Sequence, residues 1–185
     1  FYASFDPSSA GLRQIATRHD ARAKTASESI GSTIIALTDR NDLKRMEDLR
    51  KKRLVTRDID SLSGWLGAKG KLADHISAKE DQPHLFSTKY SYPDVYSYLL
   101  SGEADAAVIP TCELENISNA HLFKVIDEEK TSLACKSSSP LYPDFVFSSF
   151  PDASPEVVKN FTVSLLTMPK MPDGAAWGIA NDFRS

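Results

Sequence analysis

Two hydroxyls and a glycine stand where a helix should begin: Ser61, Ser63 and Gly64 follow Asp58 and Asp60 and lead into a helical stretch from Trp65 to His75. The first turn of a helix carries N–H groups with no intrahelical acceptor and the positive end of the helix dipole. Such a turn can hold an anion, with serine hydroxyls as extra donors and the bare Cα of Gly64 allowing close approach to the backbone. The same residues also fit a plainer role, in which one serine only caps the helix. Tyr90 and Tyr92 precede the next helix start, where they can close over a solute by stacking or hydroxyl donation, or simply pack. Thr111, just past the apolar strand ending near Ile109, and Tyr142 are comparable candidates. Ser8 is another, set against a local proline turn in Asp6-Pro7-Ser8-Ser9.

Catalytic chemistry finds little footing. No serine sits in a G-x-S-x-G elbow. His19, His75, His84 and His121 are scattered, with no helical pair able to grip a metal. No P-loop or dinucleotide fingerprint is present, so the expectation is no catalytic residue, no metal and no cofactor. The spacing of the chain's 2 cysteines, Cys112 and Cys135, fits no zinc or redox motif. On composition alone they are either a disulfide in an exported protein or two small buried thiols in a cytosolic one.

Positioning those residues requires a core, and 185 residues with 41% hydrophobic content supply one. A net charge of −3 creates no positive field for nucleic acid, which is therefore not an expected partner. The run Arg50-Lys51-Lys52-Arg53 lies between Glu47-Asp48 and Leu54-Val55 and reads as a solvated turn. No apolar run reaches the roughly 18 residues that cross a bilayer.

The elements alternate, which predicts an α/β fold. Strands are expected at 12–17, 32–38, 53–57, 85–88 and 106–109, then at 122–126, 132–135 and 145–147. Val95, Tyr96, Leu99 and Leu100 form one face of a helix entered at Pro93 and closed by Gly102. Ser154-Pro155-Glu156 opens another, and a last short helix is expected over 174–183.

Asp48-Leu49-Arg50-Lys51-Lys52-Arg53-Leu54-Val55, followed by Ser61-Leu62-Ser63-Gly64, resembles the segment leading to the ligand cleft in phosphonate-binding-protein-like periplasmic binding proteins. Leu100-Ser101-Gly102-Glu103-Ala104-Asp105-Ala106-Ala107-Val108 resembles that family's next helix-to-strand element. Thr111-Cys112-Glu113-Leu114-Glu115, Ser137 to Phe145 and Trp177 resemble the sensor domains of tetrathionate-sensor-type histidine kinases. One departure is Lys51, which stands where the family has glycine.

The resemblance implies a type II periplasmic-binding fold with two three-layer α/β/α lobes, lobe one from 1–39 and 130–185 and lobe two from 40–129. The first lobe would be truncated at its N-terminus. It implies a periplasmic or extracytoplasmic setting and a small-molecule or oxyanion ligand held between the lobes by Ser61, Ser63, Gly64, Tyr90, Tyr92, Thr111, Tyr142 and Ser8. It also implies a Cys112–Cys135 disulfide, stabilising by roughly 3 kcal/mol. The expected role is the sensor domain of a membrane histidine kinase, with transmembrane and kinase segments of the same parent chain as partners. The alternatives are the solute-binding protein of an ABC importer, a contact domain that binds no solute and, more remotely, an enzyme.

Overall fold

The structure, a computed structural model, describes residues 11–89 and 91–179; Ser8 and Tyr90 lie outside the described residues. In chain order the elements are β1 (Arg13–His19), β2 (Ser32–Leu37), β3 (Arg53–Thr56), α1 (Gly67–His75), β4 (His84–Ser87), α2 (Tyr92–Leu100), β5 (Ala106–Pro110), β6 (Phe123–Val125), β7 (Val146–Ser149), α3 (Pro155–Leu166) and β8 (Ala176–Gly178). They fall into two compact units. The first is Gly31–Thr131 with Cys135–Pro140; the second takes the described residues up to Ile30, Ser132–Ala134 and those from Leu141 onward. The chain passes from the second unit to the first between Ile30 and Gly31, and β2 is hydrogen-bonded between β5 and β6, inside the first unit's sheet.

The first unit is a 5-stranded sheet in the order β4-β3-β5-β2-β6. β3 runs parallel to β4 and β5, and β2 runs against β5. Successive side chains of a strand point to opposite faces, so neighbours divide between two cores. Ile34, Leu54 and Val108 pack on one face with Leu72 of α1 and with Leu43, Met46, Leu49 and Ile126. Ile35, Val55 and Ile109 pack on the other with Val95, Tyr96 and Leu99 of α2. Helices on both faces make this unit three layers deep.

Local chemistry sets the ends of its elements. Asp94 accepts the Ser91 N–H at 3.0 Å and closes the start of α2, and Gly102 takes φ 74 just past its end. Lys51 takes φ 58, the left-handed conformation that explains the glycine of the family pattern. Three of the four cations of the basic run pair with carboxylates, Lys51 with Asp81, Lys52 with Asp42 and Arg53 with Asp105. Burial pushes Asp105 up, but hydrogen bonds from the Arg53 side chain and backbone and from Arg40 outweigh it, leaving its pKa lowered to about 2.

The second unit holds a 3-stranded antiparallel sheet, β7-β1-β8. Ile15, Ala16 and Leu165 form its small core with Val158 and Trp177. Arg18 bridges Asp144 at 2.9 Å and Asp173 at 2.7 Å. Two expected elements are corrected here. Residues 176–178 form a strand and not a helix, because Gly174 turns the chain at φ 82 and returns it onto β1. Residues 132–135 form no strand; Cys135 is drawn into a disulfide and the loop closes through the Glu129–Ser137 bridge.

Candidate ligand-binding edge

β3, β4 and β5 are parallel and in register, so the loops leaving Thr56, Ser87 and Pro110 share one edge, and antiparallel β2 starts there at Ser32. From β3 the chain goes through α1 to β4 on one side, then through α2 to β5 on the other. Such a switch point between β3 and β5 is where open α/β sheets collect ligands. Ser61, Ser63, Gly64, Tyr92 and Thr111 are all brought to this edge. Tyr142 belongs to the second unit, where its N–H donates to the Ile30 carbonyl at 2.7 Å and its own carbonyl accepts from Ser29 and Ile30, both at 3.0 Å.

Ser61 takes the capping position, its Oγ accepting the Gly64 N–H at 3.0 Å. The next residues, Leu62–Leu66, wind as a wide π turn running straight into α1. Leu66 N–H reaches back five residues to Ser61 O, and Gly67 N–H does the same to Leu62 O. Among the described hydrogen bonds, the Leu62 and Ser63 N–H groups have no acceptor, and neither has the Ser63 hydroxyl, although Ser63 is only 9% exposed. A Cβ on Gly64 would sit 3.0 Å from the Ser61 side chain and 3.2 Å from Asp58 O, so only glycine passes here unhindered.

Thr111 closes the other side of the switch point. It is 7% exposed, and its Oγ1 has no hydrogen-bond partner among the described residues. A buried hydroxyl without a partner costs stability unless something else satisfies it. Gly31 is set against the same atom: a Cβ there would meet Pro140 O at 2.9 Å, and Ser137 Oγ and Thr111 Oγ1 at 3.0 Å each. Cys112 follows at φ 72 and is bonded to Cys135 across a Cα separation of 5.0 Å, as the resemblance implied.

Arg57, which the sequence reading passed over, is the first residue beyond β3. Its carbonyl is fixed by Lys89 N–H at 3.0 Å and Ser87 Oγ at 2.6 Å. Its exposed guanidinium lies 5.1 Å from the ring centroid of Tyr92, an attractive cation–π contact. No carboxylate among the described residues lies within ion-pair distance of it. Tyr92 is half-buried and packs on the α2 core; burial raises its phenol pKa despite the nearby Arg57 charge. Asp58 and Glu113 also face this region, and Tyr96 donates to Glu113 at 3.5 Å. A signal for Arg57 did exist, a cation at a strand's carboxyl end before a helix start, but spacing alone cannot separate it from the paired basic run.

Two α/β units built by a chain that crosses from one to the other and back, with bare helix-start amides at the larger sheet's switch point, define a binding-protein architecture. The chain belongs to the family of ABC-transporter phosphonate periplasmic substrate-binding proteins, whose model matches residues 8–181. It is similar to the tetrathionate sensor histidine kinase TtrS of Salmonella typhimurium, 31% identical over 169 residues, covering 88% of this chain and 28% of TtrS. It also shares the fold of XAC2383 from Xanthomonas citri, solved bound to chloride ion and to ATP. Both structures give a TM-score of 0.62 at 13% and 14% identity, over 88% of this chain and 59% of that one. The chain thus spans about a quarter of TtrS and under two thirds of XAC2383. The family points to an extracytoplasmic, solute-binding domain.

Proposed function

We propose that this chain is the extracytoplasmic input domain of a membrane histidine kinase and that it binds a small oxyanion at the edge of its five-stranded sheet. The observation that carries the reading is the start of the helix after Asp60. There two N–H groups and the Ser63 hydroxyl have no partner among the described residues, at a position that attracts negative charge. Arg57, held over Tyr92, offers a planar fork of N–H donors suited to two oxygens at once. Thr111 offers a hydroxyl, and Tyr92 a wall. The name of TtrS makes tetrathionate the first ligand to try, and the family description adds phosphonates.

The test is a thermal-shift and calorimetric panel of sodium tetrathionate, thiosulfate, sulfate, phosphate and methylphosphonate. A ligand at a hundred times its Kd should stabilise the chain by about 2.7 kcal/mol. Arg57→Ala and Ser63→Ala should each weaken that binding by about tenfold or more. A flat response across the panel together with turnover in a hydrolytic assay would remove the receptor reading.

The second reading, a carrier that delivers solute to an ABC importer, is favoured by the family description itself. The parent gene separates the two. A long apolar helix and kinase motifs encoded in the same frame support the sensor, whose transmembrane and kinase segments are then its partners. A carrier is encoded without them.

A further inference from the structure

An α-helix joins each N–H to the carbonyl four residues back, so Ala68 N–H belongs on Gly64 O. In this structure both groups bond to side chains of the sheet. Ala68 N–H donates to Ser32 Oγ at 3.1 Å, and Gly64 O accepts the Thr56 hydroxyl at 2.6 Å. Ser32 Oγ also donates to Leu62 O at 3.4 Å. Both residues are fully buried and come from strands flanking β5, so two hydroxyls of the sheet reach the backbone at the start of the helix. These contacts fall on and just after the π turn Leu62–Leu66. Side chains inserted into the hydrogen-bond ladder are a recognised cause of such irregularities, and π turns concentrate at functional sites.

Ser32 is itself anchored on every polar atom. Its N–H donates to Ser139 Oγ at 2.9 Å, and its carbonyl accepts Ser138 N–H at 2.9 Å and the Ser137 hydroxyl at 3.3 Å. The hydroxyl that reaches the helix is therefore fixed by the strap Ser137–Ser139, whose three residues are wholly buried.

We propose that Ser32 and Thr56 are positioning residues for the anion-binding turn: by bonding Leu62 O, Ala68 N–H and Gly64 O from the sheet, their hydroxyls hold the turn Leu62–Leu66 in place and so aim the Leu62 and Ser63 donors. This rests on the oxyanion-binding reading above. Neither residue touches the anion. Without either hydroxyl the turn loses a bond to the sheet and the Leu62 and Ser63 donors are no longer held in place.

The experiment compares Thr56→Val, which keeps the shape and removes the hydroxyl, with Thr56→Ser, which restores it, and adds Ser32→Ala. Each folded variant is titrated calorimetrically with sodium tetrathionate and with sodium sulfate, its melting temperature is recorded, and Thr56→Val is crystallised. Thr56→Val and Ser32→Ala should bind about tenfold more weakly, equivalent to about 1.4 kcal/mol, while Thr56→Ser stays near the parent affinity. The Thr56→Val crystal should show the Leu62–Leu66 turn displaced from its position in the parent. If the variants lose melting temperature but keep parent affinity, the hydroxyls are structural only and the proposal is overturned while the oxyanion reading stands. A parent chain that binds neither salt removes both. If Thr56→Val fails to fold, Ser32→Ala against the parent decides by the same affinity criterion.

Discussion

The two units solve the same packing problem to different depths. In the first, both sheet faces are covered and the strands' Ile34, Ile35, Leu54, Val55 and Ile109 are fully buried. In the second, the buried core is Ile15, Ala16 and Leu165, while Phe145, Phe147, Phe150, Val157, Phe161, Val163, Leu166, Met168 and Ile179 are exposed. Phe147 and Phe161 stack at 4.8 Å with both rings in contact with solvent. Apolar area removed from water is what stabilises a fold, so the first unit should be the rigid, cooperative half and the second the marginal one. The candidate anion turn sits on the rigid half, which suits a site needing fixed donors.

The chain's 2 tryptophans, Trp65 in the first unit and Trp177 in the second, let each half report separately. The largest contrast should come from Leu54→Ala, costing about 2–5 kcal/mol in denaturant melts read at Trp65. Val158→Ala, read at Trp177, should cost clearly less; equal losses would break the comparison. Next, replacing Cys112 and Cys135 together by alanine should lower stability by about 3 kcal/mol at Trp65. The Trp177 transition should move little, because both cysteines lie in the first unit.

Smaller effects sharpen the picture. Asp105 has a folded pKa lowered to about 2, so its contribution is complete above the unfolded carboxylate's pKa of about 3.9 and disappears as pH falls through the folded value. Asp105→Asn should cost roughly 1–2 kcal/mol at neutral pH and flatten the acid limb of the Trp65 stability profile between about pH 4 and pH 2. Last, Lys51→Gly should gain about 0.5 kcal/mol, since it relieves a left-handed residue at the expense of unfolded-chain entropy. A loss on that substitution would show that the Lys51–Asp81 pair outweighs the backbone cost.

Much of this was legible in the residues because the deciding forces were local. Pro93 and Asp94 specify the start of α2, Ser154-Pro155-Glu156 that of α3, and the apolar runs at 34–37 and 106–109 specify strands buried on both faces. Ser61-Leu62-Ser63-Gly64 marked the candidate turn for the same reason. What escaped depends on partners distant in sequence. The hydroxyl reaching Ala68 comes from a residue 36 positions away, so the π register left no trace in the helix's own residues. Ser137 to Ser139 are polar, yet they are buried because each finds a backbone partner on β2. β8 was mistaken for a helix because only pairing with β1 decides it. Arg57 differs from Arg53 by what it faces, which composition cannot encode.

The cystine has a practical corollary for anyone preparing this domain. Its two sulfurs fasten the residue after Thr111 to the segment that leads into the serine strap, so the thiol and cystine forms should differ at the very edge where an oxyanion is expected. Dithiothreitol in a purification buffer, or production in a reducing cytosol, would then yield material whose titration differs from that of the disulfide-bonded domain.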